Sequence, residues 1–293
     1  MSKFAEALNS GRFVITCELN PPKGADLRPL YNHANEIRKS VEAFNITDSA
    51  GARMTMAPLS VAHLLLDRGI EPILQVTCRD RNRLALQSEL LAASSLGVTN
   101  VLCMSGDHPS GGDHPEAKAV FDLDGISLLR SVSSLNAGSD LSGNALRGSP
   151  NFFAGAVVNP GAANLDEEIR RMEQKIEAGA SFFQTQAVYE PESFEKFMNA
   201  AHNFNVPILA GIIVLKSSRM ARNLNANLPG VHVPGHIIDE LESADDVPSK
   251  SVEVSGRIIR DVREMCAGVH IMAIGWESRV PSIVSAAGLD GNH

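Results

Sequence analysis

Long hydrophobic segments are missing from this sequence. The longest apolar run, PILAGIIVL at residues 207–215, is about half as long as a membrane-spanning helix. The first residues, MSKFAEALNSGRFV, lack the apolar centre of a secretory signal peptide. These absences argue against a membrane protein and against export, and they predict a cytoplasmic location.

Cysteine is scarce, and the cysteines are not paired in the sequence. Only four occur, at Cys17, Cys78, Cys103 and Cys266, and none forms a CxxC pair. Two of them lie inside strand-like apolar runs, which is typical of buried, reduced thiols. We therefore predict neither a disulfide nor a cysteine-ligated metal.

Positive charge is also in short supply, because 26 Lys and Arg residues face 34 Asp and Glu residues, for a net charge of −8. A surface for nucleic acid or an anionic membrane requires clustered Lys and Arg over much of one face. We predict neither partner. The remaining composition, 44% apolar and 20% charged, is that of an ordinary globular protein.

Short apolar runs recur along the chain at the length of buried strands. Amphipathic stretches of helical period lie between them, such as LALQSELLAASSLG and NLDEEIRRMEQKIEAG. The eight strand-like runs begin at Phe13, Ala43, Pro72, Val101, Phe153, Phe182, Pro207 and Val269.

Helix boundaries are marked between these runs. Pro58 and Pro191 suit the first turn of a helix, and Asn164 with Glu167 resembles a capping box. Glycines that suit the carboxyl ends of helices each lead into an apolar run; they are Gly69, Gly97, Gly179 and Gly268.

Eight strand–helix units of about 30 residues predict an α/β fold, a (β/α)8 TIM barrel, as a single domain over residues 1–293. An open, doubly wound sheet is the alternative, but no GxGxxG motif follows the first strand. The long stretch from Lys216 to Gly268 predicts an extra helix before strand eight.

Catalytic groups of such barrels project from the carboxyl ends of the strands, so the first polar residues after each run are the candidates. They are Glu18; Thr47 and Asp48; Gln75 and Thr77; Ser105, Gly106 and Asp107; Asn159; Gln184 and Gln186; Lys216; and Glu277.

Two of these carboxylates, Glu18 and Asp107, follow strands on opposite sides of the barrel mouth and can serve different tasks. Glu18 precedes Asn20, Pro21 and Pro22 and is poorly solvated, which would raise its pKa and suit it to donate a proton. A salt-bridged carboxylate at the rim is the equal alternative.

Gln184 and Gln186 lie two apart on one strand, so both face the same side. An amide can donate to and accept from the edge of a heterocycle, or it can fill a layer inside the barrel.

Two other polar segments also offer candidates. Arg79, Arg81 and Arg83 in CRDRNR could meet an anionic ligand, although solvent contacts are the more common outcome. His108 and His114 lack a third ligand, so we predict no metal site.

The strand-end segments resemble those of the methylenetetrahydrofolate reductase family over most of the chain. Together and in this order they are specific. The segments are TCELNPP, FNITDSAGARMTMAP, GIEPILQVTCRDRN, LGVTNVLCMSGDHP, KIEAGASFFQTQAVYE, LAGIIVLKS and GVHIMAIGW.

This resemblance implies a (β/α)8 barrel whose flavin takes hydride from NADH or NADPH, releases the oxidised cofactor and passes hydride to 5,10-methylenetetrahydrofolate. The product would be 5-methyltetrahydrofolate. By the family's pattern Glu18 would be the general acid that opens the five-membered ring to an iminium ion. Asp107 would favour that cation, and Gln186, with Gln184 beside it, would bind the folate.

The resemblance also implies the cofactor, FAD with FMN as the alternative, and the residues that hold it. Gln75 replaces a histidine of better-studied bacterial members, Ser105 replaces an arginine, and their Tyr and His are missing near Asn159. The implied cofactor residues are Thr47, Asp48, Gln75, Ser105, Gly106, Asp107, Asn159 and Lys175.

Other functions remain open at this point. A partner protein could supply the electrons, which the flavin-side replacements would suit, and homo-oligomers are common in the family. A pterin-dependent methyltransferase or a lyase could use a similar barrel, and Lys216 is the candidate Schiff-base lysine for a lyase.

Overall fold

Eight parallel strands close into a barrel in chain order in the computed structural model, which describes residues 1–289. The barrel closes where β8 pairs with β1, with Thr16 beside His270. This confirms the (β/α)8 barrel and excludes the open doubly wound sheet. The strands are β1 Val14–Leu19, β2 Ala43–Ile46, β3 Pro72–Thr77, β4 Asn100–Met104, β5 Phe153–Val158, β6 Phe182–Ala187, β7 Ile208–Ile213 and β8 Gly268–Met272.

Helices surround this barrel and cover the outer faces of the strands. Leu, Ile and Val side chains of the helices pack on the outward side chains of the sheet and form the main core. The helices are α1 Lys3–Asn9, α2 Arg28–Ile37, α3 Pro58–Leu66, α4 Arg83–Ser95, α5 Gly125–Asn136, α6 Leu165–Glu177, α7 Pro191–Ala201, α8 Ser218–Asn227, α9 Gly235–Glu242, α10 Val247–Val262 and α11 Val280–Ala286.

The connection between β7 and β8 holds two additional helices, one more than the sequence predicted. Because α10 packs on β7 and on α7, it is the barrel helix, and α8 and α9 are the additions. Both are short, and Ala221 is the only fully buried side chain of α8.

The amino-terminal end of the barrel is closed by α1, which the sequence analysis did not predict. Phe4 is fully buried against residues at the beginnings of the strands, including Val14 and Ala43. Its ring meets the ring of Phe182 edge-on, with the centroids 5.1 Å apart. Since this end is filled, the opposite end is the one that can hold a ligand.

The predicted helix boundaries are confirmed with one exception. Pro58 and Pro191 begin their helices, and the Asn164 side chain caps α6 by accepting from the Glu167 N–H. Gly69, Gly97 and Gly179 follow helices with positive φ, as predicted.

Gly268 is the exception, since it is the first residue of β8 and not a helix cap. A Cβ atom at this position would lie 2.1 Å from the Val14 carbonyl oxygen. Close strand packing therefore requires this glycine, and no left-handed turn is involved.

Two predictions about the chain as a whole can be compared with the structure. The four cysteines are free thiols, three of them buried and Cys266 half-buried, as predicted. Within residues 1–289, no helix has both the length and the apolar character needed to cross a bilayer.

Candidate active site

A cavity of about 510 Å³ opens at the carboxyl ends of the strands. Its size is in the range of ligand pockets, and its place is where barrel enzymes bind their substrates. Of the site residues that the family resemblance implies, all except Thr47 line it: Glu18, Asp48, Gln75, Ser105, Gly106, Asp107, Asn159, Lys175, Gln184 and Gln186.

Glu18, the last residue but one of β1, lies in the cavity wall, and only 16% of its side chain is exposed. Burial raises the pKa of its carboxyl group to about 7; a hydrogen bond from Asn20 opposes this rise, and the Glu277 carboxylate adds to it. No lysine or arginine within residues 1–289 forms an ion pair with Glu18. Glu18 is therefore not a salt-bridged carboxylate of the rim within the described residues, and it can hold a proton near neutral pH.

His270, in the middle of β8, faces the same carboxyl group. Its Nε2 lies 4.0 Å from Glu18 Oε2, and its Nδ1 lies 3.0 Å from the Thr16 hydroxyl. Burial lowers the pKa of the imidazole to about 3, so the ring is neutral at physiological pH. The partner of Glu18 is therefore a neutral ring.

The amide of Gln184 is fully engaged inside the barrel. Its Nε2 donates to Thr16 Oγ1 at 3.2 Å and to Asn45 Oδ1 at 3.1 Å, while its Oε1 accepts from Asn45 Nδ2 at 2.7 Å. These contacts match the layer-filling alternative for Gln184.

Gln186 lies one layer closer to the cavity mouth, where the pairing of β6 with β7 is irregular. Its Oε1 accepts from the Ala187 N–H at 3.1 Å. Among the described residues its Nε2 has no hydrogen-bond partner, so this amide group remains available to a ligand.

Asp107 stands exposed at the cavity mouth after β4, and its Oδ2 accepts from the Gly51 N–H at 3.1 Å. Gly106 makes the turn that brings it there, with φ of +88°, and a Cβ atom at Gly106 would lie 2.9 Å from Thr77 Cβ. Ser105 Oγ accepts from the Gly125 N–H at 3.2 Å and ties this turn to α5. The backbone thus fixes where the carboxylate stands.

Gln75 lies on β3, which β2 separates from β1 and Glu18. It is largely buried on β3 and lines the cavity. No group within residues 1–289 hydrogen-bonds its amide, which therefore faces the cavity with its donors and acceptor unused.

Asp48 and Thr47, which follow β2, are bound to other protein groups. Asp48 Oδ2 accepts from the Thr77 N–H at 2.9 Å, from the Thr77 hydroxyl at 2.8 Å and from the Arg81 guanidinium. Thr47 is buried and donates to Asn20 Oδ1 at 2.9 Å. Thr47 therefore lies behind Asn20, next to the Glu18 site and outside the cavity wall.

Two of the three arginines of CRDRNR are paired inside the protein, whereas Arg83 is exposed and binds Asp122 at the surface. Arg79 is buried and binds Asp80 together with the carbonyl oxygens of Asp48 and Ser49. Arg81 bridges Asp48 and Glu89.

One side of the cavity, the side slot, extends past the end of β5 to α6. Val157, which faces into the barrel beside its register partner Gln184, is 36% exposed there, and Arg171 and Lys175 line the slot with it. Lys175 Nζ donates to the Val157 carbonyl oxygen at 2.7 Å, and burial lowers the pKa of its ammonium group.

Asn159 has a structural role at the end of this slot. Its Nδ2 donates to the Pro229 carbonyl oxygen at 3.3 Å, and its Oδ1 accepts from the Gly161 N–H at 3.1 Å. The side chain thereby connects β5 to the segment after α8.

Lys216 does not line the cavity. Its Nζ lies 5.6 Å from the centroid of the Trp276 ring, beyond the end of β7. A Schiff-base role inside the barrel has no support from this position.

His108 and His114 lie in the loop after β4. His108 Nδ1 lies 2.8 Å from the Ser110 hydroxyl, and the ring stacks on Phe121. The part of the chain that the structure describes contains no group of three His, Cys, Asp or Glu side chains placed to hold a metal ion.

Comparison with known proteins agrees with this geometry. Residues 3–288 match the family described as methylenetetrahydrofolate reductase. This chain belongs to the methylenetetrahydrofolate reductase family. Its resemblance to that family in the strand-end segments is thereby confirmed.

Relatives within the methylenetetrahydrofolate reductase family are distant in sequence. Methylenetetrahydrofolate reductase 2 of Schizosaccharomyces pombe is 27% identical over 75% of this chain, which matches 36% of that protein's length. The 5,10-methylenetetrahydrofolate reductase of Pectobacterium carotovorum is 24% identical over 88% of this chain and 84% of its own length. The chain thus spans little more than a third of the first relative.

Among solved structures, the fold is similar to that of an uncharacterised Clostridium thermocellum protein that binds two copies of 5-methyl-5,6,7,8-tetrahydrofolic acid. The TM-score is 0.68 at 18% identity, with 97% of each chain covered. At this identity the likeness supports the barrel alone.

Sequence reasoning about this reductase-family site missed Asn20, Thr16, Asn45 and His270. The last three are polar residues at alternate, inward positions of strands whose other residues are apolar, and a period of two along each strand is the signal that could have found them. Arg171 stands four residues before Lys175 on α6, so helical spacing links the two.

Proposed function

We propose that this chain reduces 5,10-methylenetetrahydrofolate to 5-methyltetrahydrofolate, with a bound flavin and with NADH or NADPH as the source of hydride. Glu18 carries the proposal: a buried carboxyl group with a pKa of about 7 in the wall of a ligand-sized cavity, in a chain of this family. The Clostridium thermocellum neighbour that binds a methylated folate supports the substrate class.

Glu18 would hold the proton that the reaction needs. At neutral pH a pKa of about 7 keeps much of the carboxyl group protonated while still allowing it to release the proton. Donation to an amine nitrogen of the five-membered ring would open that ring to a cationic iminium carbon, which can accept hydride. Low exposure keeps bulk water from competing as the acid.

Asp107 and Gln186 would bind the folate on either side of this proton transfer. An ionised Asp107 would stabilise the cationic iminium, and the Gly51 N–H holds that carboxylate in place. The unpartnered Nε2 of Gln186 can donate to a pterin acceptor. Gln184 is not proposed to bind the folate, because both its amide oxygen and its amide nitrogen already form hydrogen bonds inside the barrel.

The remaining cavity wall fits a flavin. The unused amide of Gln75 and the Ser105–Asp107 turn offer hydrogen-bonding groups for a heterocyclic ring, and the side slot offers Arg171 and Lys175 to a phosphate. When bound, a flavin supplies two-electron hydride transfer between nicotinamide and folate. Asp48 and Asn159, whose side chains in the cavity wall are bonded to other protein groups, would fix the loops, and Thr47 would do so from behind the wall.

The visible spectrum of the purified protein, followed without oxygen, tests the proposal. A bound flavin gives colour, NADH or NADPH should bleach it, and methylenetetrahydrofolate should restore it. A protein that stays colourless and inert after FAD or FMN is added would rule out the flavin. Colour without bleaching by either nicotinamide, together with bleaching by a copurified protein, would point to a partner as the electron donor.

Glu18→Gln separates the two halves of this reaction. The variant should still bleach with nicotinamide but restore its colour with the folate at least about a hundredfold more slowly, because only the second half needs the acid. Glu195→Gln, on the exposed face of α7, is the matched control and should behave as wild type. Undiminished folate reduction by Glu18→Gln would refute the assignment of the acid.

A further inference from the structure

Four buried polar side chains form a continuous hydrogen-bonded chain inside the barrel, the core polar chain: Asn45, Gln184, Thr16 and His270. We infer that this chain fixes His270 as its Nε2–H tautomer and so presents a neutral N–H group to Glu18. The inference rests on the proposed role of Glu18 as proton donor. His270 and Thr16 are positioning residues in this scheme.

The direction of the chain is set at its far end by two amides. Asn45 donates to Gln184 Oε1 at 2.7 Å, and Gln184 Nε2 donates back to Asn45 Oδ1 at 3.1 Å. This pairing turns the Gln184 oxygen toward β2. The nitrogen of Gln184 is therefore the atom that reaches Thr16.

Thr16 connects Gln184 to the His270 ring and donates its hydroxyl proton toward that ring. Its hydroxyl oxygen accepts from Gln184 and has one proton to donate. Two acceptors compete for that proton: His270 Nδ1 at 3.0 Å and the Val269 carbonyl oxygen at 3.5 Å. The longer contact is at the limit of a hydrogen bond, so the proton goes to Nδ1.

A neutral imidazole carries one N–H, so an Nδ1 that accepts leaves the hydrogen on Nε2. Nε2 is the atom that lies 4.0 Å from Glu18 Oε2. This distance is too long for a hydrogen bond in the resting state, but it places the Nε2–H group next to the carboxyl group where charge develops. This N–H group would stabilise the carboxylate formed when Glu18 gives up its proton.

The tautomer can be measured without any turnover. Protein labelled with 15N-histidine, with the His270 signals assigned by their loss in His270→Gln, should show a protonated Nε2 and an Nδ1 that accepts a hydrogen bond. A protonated Nδ1, or a doubly protonated ring at neutral pH, would overturn the inference.

The kinetic test removes the Thr16 hydroxyl. Thr16→Val keeps the shape of the side chain and should lower kcat for folate reduction about tenfold, with little change in KM, because the N–H is needed only when charge develops. Thr16→Ser restores the hydroxyl and should recover most of the rate. Thr99→Val, at an exposed threonine, is the control and should leave kcat unchanged.

A merely structural role for Thr16 would give a different pattern. If Thr16→Val and Thr16→Ser lost the rate equally, packing rather than the hydroxyl would be responsible, and the inference would fail. If Thr16→Val kept the full kcat, the core polar chain would have no part in the reaction.

The two proposals can fail separately. An inactive Glu18→Gln variant together with a protonated Nδ1 on His270 would leave the acid assignment standing and remove the inference. An active Glu18→Gln variant with the expected tautomer would refute Glu18 as the acid. The His270 tautomer and the direction of the hydrogen bonds would then stand as structural facts without a role in the reaction.

Discussion

The groups around Glu18 shift the pKa of its carboxyl group in opposite directions. The Asn20 amide bonds the carboxyl group and favours its charged form, whereas burial and the Glu277 carboxylate favour the protonated form. Thr47 fixes Asn20 from behind. The pKa of about 7 is therefore a balance that single substitutions can shift in a known direction.

Glu277→Gln should move this balance toward the charged form. Removing the nearby negative charge lowers the pKa of Glu18, so the alkaline limb of the kcat profile should shift to lower pH by roughly half a unit to one unit. The amide oxygen introduced by this substitution can still accept from the Gly275 N–H, as Glu277 Oε1 does at 2.9 Å. The profile of Glu195→Gln is the reference, and an unmoved limb would show that Glu277 does not act on Glu18.

At this scale the sequence predicted positions better than roles. The rule that polar residues after the strands face the cavity placed Glu18, Asp107 and Gln186 correctly in its wall, because chain direction alone decides which end of a strand a residue occupies. It could not show that Asp48 binds Arg81 or that Thr47 lies behind Asn20, since those contacts depend on where side chains from other strands end.

At the scale of elements, α1 closes the amino-terminal end of the barrel. Phe4 fills the closed end of the barrel against Phe182, and the ring of Phe182 stacks on Phe153 with the centroids 5.2 Å apart. Gly155 leaves room for this packing, because a Cβ atom there would lie 2.2 Å from the Phe182 ring. These aromatic contacts lie at the opposite end from the candidate active site.

Phe4→Ala should therefore destabilise the fold without changing the chemistry. Loss of a fully buried ring should lower the free energy of unfolding by about 3–5 kcal/mol, measured by denaturant titration, while KM for the folate stays constant. Leu84→Ala, where the side chain is 74% exposed, should cost no more than about 0.5 kcal/mol. A large change in KM for Phe4→Ala would mean that the closed end is coupled to the cavity.

The eight strands and several barrel helices could be predicted, whereas α1 and one of the two additional helices could not. The strands are short, largely buried apolar runs, and α4 buries Leu86, Leu90 and Ala93 at helical spacing. By contrast, α1 is seven residues long, and α8 and α9 lie on the surface of the β7–β8 connection. Their existence depends on tertiary packing that a local pattern does not record.

For the molecule as a whole, the same two groups that define the site also shape how stability depends on pH. Glu18 has a folded pKa of about 7 against its usual 4.5, so the folded state holds this proton more tightly. Its contribution to stability is present below pH 4.5 and is lost as the pH rises toward 7. His270 has a folded pKa of about 3 against its usual 6.5, so its contribution is present above pH 6.5 and is lost as the pH falls.

These opposite trends overlap between about pH 4.5 and 6.5, where they should cancel in the wild-type protein. Each group alone contributes a slope of at most about 1.4 kcal/mol per pH unit. Removing one group should therefore reveal the other. Compared with wild type, stability should rise with pH across this window in Glu18→Gln and should fall with pH in His270→Gln.

Denaturant titrations of the three proteins at half-unit steps of pH would measure this directly. Other carboxylates are the same in all three proteins, so they do not contribute to the differences in stability between them. Asp113 and Asp122 are examples, with pKa values lowered to about 2 by Lys23 and Arg83. At about pH 8 the Glu18→Gln variant should be more stable than wild type by roughly 3 kcal/mol, since it no longer buries a charge. Parallel curves for all three proteins would mean that neither group titrates abnormally in the fold, and the active site would then lack the poised acid on which the proposed chemistry depends.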